Sequence, residues 1–162
     1  MKTLTVTIIS ALFAMFAVVD TAQAENSGTN EVVVAENIIE AVNKIDIISL
    51  NVLLAEGAAI DTVDDAGNTP LMLAAKIGNP RMIDIILAHE PEVNKRNESG
   101  VTALMIASET GILSIVQDLK NAGADPEMRN SAGYSAAQIA QRNGHGSIAE
   151  FLKVSNSVSF SR

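Results

Sequence analysis

The sequence predicts an all-α repeat solenoid of about four stacked helix pairs, and internal repetition is the first observation that predicts it. Three segments share one pattern: DAGNTPLMLAAKIG, ESGVTALMIASETG and SAGYSAAQIAQRNG. They begin at Asp65, Glu98 and Ser131, so the pattern returns every 33 residues. A fixed period of this length is typical of proteins that stack one supersecondary unit. The second observation is that each unit contains start and stop signals for two short helices.

The first helix of each unit is predicted between a capping hydroxyl and a glycine. A serine or threonine side chain can accept hydrogen bonds from the free amides of the first turn, and glycine readily takes the left-handed conformation that closes a helix. The capping residues are Thr69, Thr102 and Ser135, and the closing glycines are Gly78, Gly111 and Gly144. The small residues that recur within these helices are Ala74, Ala107 and Ala140.

The second helix of the first complete unit begins at the Asn-Pro pair at 79–80, because proline suits the first helical turn. Its apolar face is too wide for a lone helix in water, and the next unit can cover it. Second helices are predicted to end at Gly57 and Gly123, whereas the middle unit has Glu90 followed by Pro91 at this place. The sequence therefore predicts a less regular joint at Glu90.

Polar, turn-rich stretches connect the units at residues 59–67, 92–100 and 125–133. Each of them closes on a glycine, a residue that adopts positive φ at little cost. These stretches are predicted to form protruding, hairpin-like loops.

The stretch DDAGNTPLMLAAKIGN, together with GADPEMRN further on, resembles the ankyrin repeat, which is marked by a T-P-L-x-x-A-A core and a 33-residue period. That family builds each unit from a β-turn and two antiparallel helices, and the resemblance implies a curved stack that binds other proteins. Where the family usually has histidine after T-P-L, this chain departs from it. The residues at that place are Met72, Met105 and Gln138.

The resemblance is good over residues 64–153, and a degenerate repeat without its own hairpin glycine precedes it. Its apolar core positions are Ile38, Ala41, Leu50 and Leu53. The predicted ankyrin-repeat domain thus covers residues 35–153, with repeats at about 35–63, 64–96, 97–129 and 130–153.

Both ends of the chain are predicted to lie outside the domain. Residues 1–24 have a positive start, an apolar run and an Ala-Gln-Ala ending, as a cleaved signal peptide does. A membrane anchor is the alternative, but the run from Leu4 to Val19 is shorter than the roughly 20 residues that span a bilayer. Residues 25–34 are predicted to be a linker, and residues 154–162 a tail. For the tail, disorder is favoured over a docked strand or a binding tail.

Composition indicates the compartment of the protein and the classes of partner that its charge disfavours. An exported chain without cysteine must be held together by packing alone, which favours the bacterial periplasm, with secretion as the alternative. The net charge of −8 disfavours nucleic acid and anionic membrane surfaces as partners. Acidity of this kind commonly serves solubility alone, and electrostatic steering of a basic partner is the alternative.

The sequence contains no recognisable catalytic, metal-binding or cofactor-binding constellation. His89 and His145 are predicted to be helix-end or solvent-exposed residues rather than metal ligands or catalytic groups. Asp61, Asp64 and Asp65 fail the spacing of a calcium loop and are interpreted as turn residues. We therefore expect no cofactor and no enzymatic activity.

The resemblance implies that a partner contacts the hairpin tips and the exposed ends of the first helices, on the concave side of the stack. We call the matching positions the predicted binding row. They are Asn43, Lys44, Asp65, Ala66, Asn68, Lys76, Ile77, Glu98, Ser99, Val101, Glu109, Thr110, Ser131, Ala132, Tyr134, Arg142 and Asn143. Tyr134, the only tyrosine, either anchors a partner or packs locally on its hairpin.

The sequence thus favours a periplasmic protein-binding module that is a monomer when free. The most specific hypothesis is an inhibitor or immunity protein that caps a periplasmic enzyme, such as a basic peptidoglycan hydrolase. The alternatives are a scaffold or stabiliser of a periplasmic enzyme, for example in oxidative-stress defence, and a cryptic hydrolase or metal-dependent enzyme.

Overall fold

A computed structural model of the protein describes residues 38–157, with side chains up to residue 154. The predicted signal peptide, the predicted linker and residues 158–162 lie outside the described residues. Within this range the chain forms eight helices and no strands, which confirms the all-α repeat solenoid. The helices are α1 (residues 38–43), α2 (Ile47–Ala55), α3 (Pro70–Ile77), α4 (Pro80–Leu87), α5 (Ala103–Thr110), α6 (Leu113–Asn121), α7 (Ala136–Arg142) and α8 (Gly146–Ser157).

The repeats stack through their first helices, which we call inner helices, so that α5 contacts α3 on one side and α7 on the other. Their recurrent alanines, Ala74, Ala107 and Ala140, are fully buried. A small side chain at this position lets neighbouring helices approach closely and leaves little space for anything larger. The second helices, which we call outer helices, pack on the inner ones, as in the contacts of α3 with α4 and α7 with α8.

The degenerate first repeat adopts the predicted helix pair. Ile38, Ala41 and Leu50 are buried in the common core, and Leu53 is half-buried against it. Asp46 caps α2, because its side chain accepts a hydrogen bond from the Ser49 amide. The first repeat therefore belongs to the same hydrophobic core as the three others.

The capping residues of the inner helices act as predicted. The Oγ1 atoms of Thr69 and Thr102 accept hydrogen bonds from the amides of Met72 and Met105 at 3.2 and 3.4 Å. Ser135 takes part in a reciprocal capping box, in which the Gln138 side chain accepts a bond from the Ser135 amide. Each hydroxyl thereby satisfies an amide that has no partner within its helix.

The helix-closing glycines follow the prediction in two of three repeats. Gly78 and Gly111 are left-handed C-caps, with φ of 75° and 81°. In the last repeat α7 ends one residue earlier, and Asn143 is the C-cap. Gly144 still has positive φ, but its amide donates to Gln141 in a tighter turn.

The joint at Glu90 keeps the turn of the other joints but lacks one of their hydrogen bonds, so it is less regular, as predicted. Glu90 takes the left-handed conformation at φ 52°, and its amide donates to Leu87 at 3.1 Å, just as Gly123 donates to Lys120. Gly57 also has positive φ, and its amide donates to Leu54 O, so the three joints share this first hydrogen bond. The next hydrogen bond is missing because Pro91 has no N–H, whereas Ala124 donates to Leu119 at the equivalent place.

Replacing Glu90 with glycine should stabilise the protein. A left-handed conformation costs an L-residue about 1 to 2 kcal/mol, and the greater chain entropy of glycine offsets part of this gain, so we expect a net increase of about 0.5 to 1 kcal/mol. Urea denaturation measures it. As the matched control, Gly123→Ala should lower stability by about 1 kcal/mol, since a Cβ there has open space and only its φ of 93° is unfavourable. A neutral Glu90→Gly change would contradict the proposed strain.

The C-terminal helix is longer than the predicted repeat boundary. Helix α8 continues to Ser157, so residues 154–157 of the predicted tail are helical. No glycine or proline in this stretch stops the helix. None of the helices between residues 38 and 157 has the length and hydrophobicity of a membrane span.

Candidate functional site

Each hairpin of the predicted binding row is closed by an aspartate or asparagine side chain, of which the sequence analysis identified Asp64 as a turn residue but not Asn97 or Asn130. The Oδ1 atom of Asp64 accepts hydrogen bonds from the amides of Ala66 and Asn68 at 3.0 and 2.8 Å. Asn97 and Asn130 make the same pair of bonds within their own hairpins. The signal was present, because an Asp or Asn precedes each hairpin glycine by three residues.

Asn68, a member of the predicted binding row, is engaged in this framework. Its Nδ2 donates to Asp64 at 2.9 Å, and its Oδ1 accepts from Asn97 Nδ2 at 2.8 Å. The second bond joins two successive hairpins. Both ends of the Asn68 amide are thus occupied by structural hydrogen bonds.

Hydrogen bonds around Asp64 also shift its titration. Burial favours the neutral acid, but the side chain and amide of Asn68 and the amide of Ala66 outweigh that effect and hold the pKa of Asp64 below its usual value. The carboxylate therefore stabilises the fold above its unfolded pKa of about 4. That contribution is lost as the pH falls through the lower folded value.

An Asp64→Asn variant should show this dependence. We expect it to be less stable than the parent by about 1 kcal/mol at pH 7, because the hydrogen bond between Asp64 Oδ2 and Asn68 Nδ2 is lost. The difference should shrink as the pH falls through the lowered pKa of Asp64, below which the parent's carboxyl is also neutral. Urea denaturation across this range measures it, and a difference that stays constant with pH would contradict the assignment. Asparagine suits this position, since Asn97 and Asn130 occupy it in the next two repeats.

Further bonds between repeats hold the hairpins in register. The amide of Glu98 donates to Ala66 O, and the amide of Ser131 donates to Ser99 O, at 3.3 and 3.0 Å. The Arg96 guanidinium donates to its own hairpin at Gly100 O and to Arg129 O in the next one. The exposed hairpin residues of the row therefore stand on a hydrogen-bonded framework.

Five members of the predicted binding row surround one pocket between the third and fourth repeats. The pocket has a volume of about 230 Å³. Its lining residues are Val101, Met105, Glu109, Asn130, Tyr134, Ile139, Arg142 and Asn143. The row supplied Val101, Glu109, Tyr134, Arg142 and Asn143, whereas Met105, Asn130 and Ile139 were missed, because the stacking of α5 and α7 brings them to this place.

Tyr134 and Arg142 contact each other at the pocket. The Arg142 guanidinium carbon lies 4.3 Å from the centroid of the Tyr134 ring. A cation over an aromatic face is attracted by the ring quadrupole, which favours this arrangement of the two side chains. Tyr134 nevertheless keeps 36% of its surface exposed. The pocket thus presents a pre-positioned aromatic ring and a guanidinium group.

The charges at the pocket are not paired with each other. Lys44 and Glu40 form an ion pair in the first repeat. Glu109 and Arg142 are exposed and lie outside it. The pocket therefore offers a carboxylate and a guanidinium group to a neighbouring molecule.

The sequence of this repeated architecture matches a known family. The family model for ankyrin repeats, in three copies, matches residues 38–130, which is more than half of the chain. The chain belongs to the ankyrin-repeat family. Ankyrin repeats are protein–protein interaction modules, generally without catalytic activity. A comparison with curated proteins finds no significant match.

His145 joins the last two ankyrin repeats beside the pocket. Its Nε2 lies 3.0 Å from the carbonyl oxygen of Glu109. The imidazole ring also lies against Gly111, where an added Cβ would approach it to 2.3 Å. The two histidines were predicted to be either helix-end or solvent-exposed residues. His145 is a helix-end residue, and His89 is exposed.

The other members of the row differ in how freely a partner could reach them. Ile77 packs against the ankyrin core, and the Thr110 hydroxyl donates to Ala107 O, so both are partly engaged. Lys44 pairs with Glu40 and lies at a groove of the first repeat, away from the pocket. The remaining exposed members are Asn43, Asp65, Ala66, Lys76, Glu98, Ser99, Ser131 and Ala132.

Proposed function

We propose that this ankyrin-repeat protein is an exported, non-catalytic binding module of the periplasm that holds its partner at the pocket between repeats three and four. The observation that carries the proposal is the exposed Tyr134 ring, which contacts Arg142 at a pocket that Val101, Met105 and Ile139 also line. Tyrosine and arginine are enriched among the residues that dominate binding energies at protein interfaces. Family membership supports a protein as the partner.

The proposed role is inhibition of a periplasmic enzyme, as an immunity or self-protection protein would provide. A net charge of −8 supports a basic target, and peptidoglycan hydrolases suit this because their wall substrate is anionic. Three acidic residues of the row, Asp65, Glu98 and Glu109, are exposed toward such a partner. Electrostatic complementarity of this kind mainly accelerates association and excludes wrong partners.

The proposal is tested by capture from a native periplasmic extract with tagged residues 25–162. The matched variants are Tyr134→Ala and Leu113→Ala, since Leu113 on α6 is equally exposed, at 37%, but lies away from the pocket. We expect an enzyme to be retained by the parent and by Leu113→Ala, and lost with Tyr134→Ala. An enzyme retained equally by all three proteins would refute the pocket as the binding site.

Titrating the captured enzyme with the purified protein then separates the possible roles. Loss of activity at stoichiometric binding is the result expected for an inhibitor. A gain in activity or in thermal lifetime would replace inhibition by the scaffold or stabiliser role. Hydrolysis by the purified protein alone, lost when His89 and His145 are both replaced, would contradict the non-catalytic proposal.

Tyr134→Ala should weaken binding of the partner at least tenfold, because a hot-spot side chain contributes more than about 1.4 kcal/mol. Its melting temperature should stay close to that of the parent, since the side chain contacts Arg142 rather than the core. Tyr134→Phe keeps the ring and its contact with the guanidinium, and should retain most of the affinity. Calorimetric titration and thermal unfolding measure the two effects, and an equal loss of folding would contradict a binding role.

A further inference from the structure

One position near the end of the inner helix carries a charge in three successive repeats. It holds Lys76 on α3, Glu109 on α5 and Arg142 on α7, each 33 residues after the one before. All three side chains are exposed. The first repeat has the neutral Asn43 at this position. The second, third and fourth repeats thus present charges of alternating sign, which we call the charge ladder.

The charge ladder lies beside the hairpins of the predicted binding row. Glu109 and Arg142 line the pocket together with Tyr134, which follows the hairpin glycine of its repeat. Lys76 acts on the hairpin of its own repeat. Burial raises the pKa of Asp64 and hydrogen bonds lower it, and the positive charge of Lys76 lowers it further. The three charges therefore belong to the surface on which we place the partner.

The spacing of the repeats keeps the ladder charges available to another molecule. The helices that carry them are neighbours in the stack, because α5 contacts both α3 and α7. Packed helices lie about 8 to 10 Å apart. Charges exposed to water are largely screened from each other over that distance at physiological salt. A guanidinium group on an aromatic ring also keeps N–H donors for a carboxylate, so the contact of Arg142 with Tyr134 does not exclude a partner.

A second copy of this chain does not fit the ladder. Two copies related by a two-fold axis present the same surface to each other. If their ladders ran in opposite directions, Glu109 would face Glu109 and Lys76 would face Arg142. If the ladders ran in the same direction, each residue would face itself. Like charges meet in both arrangements and oppose association, so the ladder suits a different polypeptide.

The distance between repeats favours a partner segment in the polyproline II conformation. This helix has three residues per turn and a rise of about 3.1 Å, so every third side chain returns to the same face after about 9 Å. In a β-strand, side chains on one face are only about 6.6 Å apart. An α-helix repeats after seven residues and about 10.5 Å. The exposed Tyr134 ring favours the polyproline segment, because such segments dock on aromatic side chains.

We propose that the partner binds the ladder through a polyproline II segment with an acidic, a basic and an acidic residue at every third position. The two acidic residues pair with Lys76 and Arg142, and the basic residue pairs with Glu109. Prolines between them pack on Tyr134 and Val101 at the pocket. The inference rests on the proposed function and deepens it by naming the segment that the partner presents. The overall charge of −8 acts at longer range on the whole partner.

Three synthetic peptides of one length test the order of charges. The matched peptide is PPEPPKPPEPP, which reads the same in both directions and so fits either orientation on the ladder. The scrambled peptide, PPEPPEPPKPP, has the same composition and net charge but opposes two of the three ladder charges in either orientation. The inverted peptide, PPKPPEPPKPP, opposes all three. NMR titration of the isotope-labelled protein measures weak affinities and identifies the amides that respond.

The matched peptide should bind about fivefold or more tightly than the scrambled one, since two positions change from attraction to repulsion and each exposed pair contributes little. The inverted peptide should bind most weakly. High salt should remove most of these differences. The responding amides should include those of Val101 and Tyr134.

A protein with Lys76→Glu, Glu109→Lys and Arg142→Glu should reverse the preference and bind the inverted peptide better than the matched one. Arg81→Glu is the control, because Arg81 is exposed on the outer helix α4 and this change alters the net charge by the same amount. It should keep the preference of the parent. Thermal unfolding checks that both variants remain folded, as expected for exposed positions.

Equal affinities for the three peptides, or no binding by any of them, would overturn the ladder. Tighter binding of an α-helical peptide with the same charges seven residues apart would overturn the polyproline conformation. These failures are distinct from failure of the proposed function. If the order of charges has no effect but Tyr134→Ala still loses the captured enzyme, the pocket proposal stands without the ladder. If the peptides obey the order but no enzyme is captured, the ladder stands and the proposed enzyme partner is wrong.

Discussion

Replacing Ala107 with aspartate should unfold the ankyrin array. Ala107 is fully buried on α5, the helix that contacts α3 on one side and α7 on the other. The site has neither room nor a counter-ion for a carboxylate, and a buried charge without a partner is strongly destabilising. We expect a loss of at least about 4 kcal/mol, a large part of the 5 to 15 kcal/mol that stabilises a typical domain.

Far-UV circular dichroism during thermal and urea denaturation measures this loss. Ser114→Asp, an exposed change in the same repeat, is the matched control and should leave stability nearly unchanged. Ser114→Asp adds the same charge as Ala107→Asp, so an equal loss of stability in both variants would indicate an effect of net charge rather than of burial. A folded Ala107→Asp protein of normal stability would refute the stacking of α5 between α3 and α7.

Gly111→Ala should also destabilise the protein, at the junction next to the pocket. The backbone has φ of 81° there, and the new Cβ would come within 2.3 Å of the His145 ring. The left-handed backbone costs about 1 to 2 kcal/mol, and displacing His145 loses its hydrogen bond to Glu109 O, worth about 1 kcal/mol. We expect a total loss of about 2 to 3 kcal/mol.

Gly144→Ala is the control that separates the two contributions. Gly144 has nearly the same φ, 82°, but a Cβ there meets no atom within 4 Å. It should therefore cost only the backbone part. Adding His145→Ala to Gly111→Ala should recover some stability by removing the close contact. An equal loss of stability in Gly111→Ala and Gly144→Ala would show that His145 can move away from the new Cβ with no loss of free energy.

The predicted features that the structure confirms are those that depend on residues close together in the sequence. The caps at Thr69 and Thr102 and the left-handed glycines at 78 and 111 follow from one or two side chains each. The hairpin bonds of Asp64 and Asn97 are equally local, spanning two and four residues, and could have been predicted from their spacing to the hairpin glycines. The joint at Glu90 is different, because the array holds a left-handed conformation that the residue alone disfavours.

The sequence by itself determined the repeat period, the helix pairs and the family, since these follow from a pattern that recurs every 33 residues. It also predicted Tyr134 and Arg142 as members of one row. Only the tertiary structure decided that these two side chains meet, that Met105 and Ile139 complete their pocket, and that His145 lies on Gly111. The physical reason is that such contacts join residues of different helices or repeats. They depend on the distance and rotation between stacked units, and a repeat period in the sequence contains neither quantity.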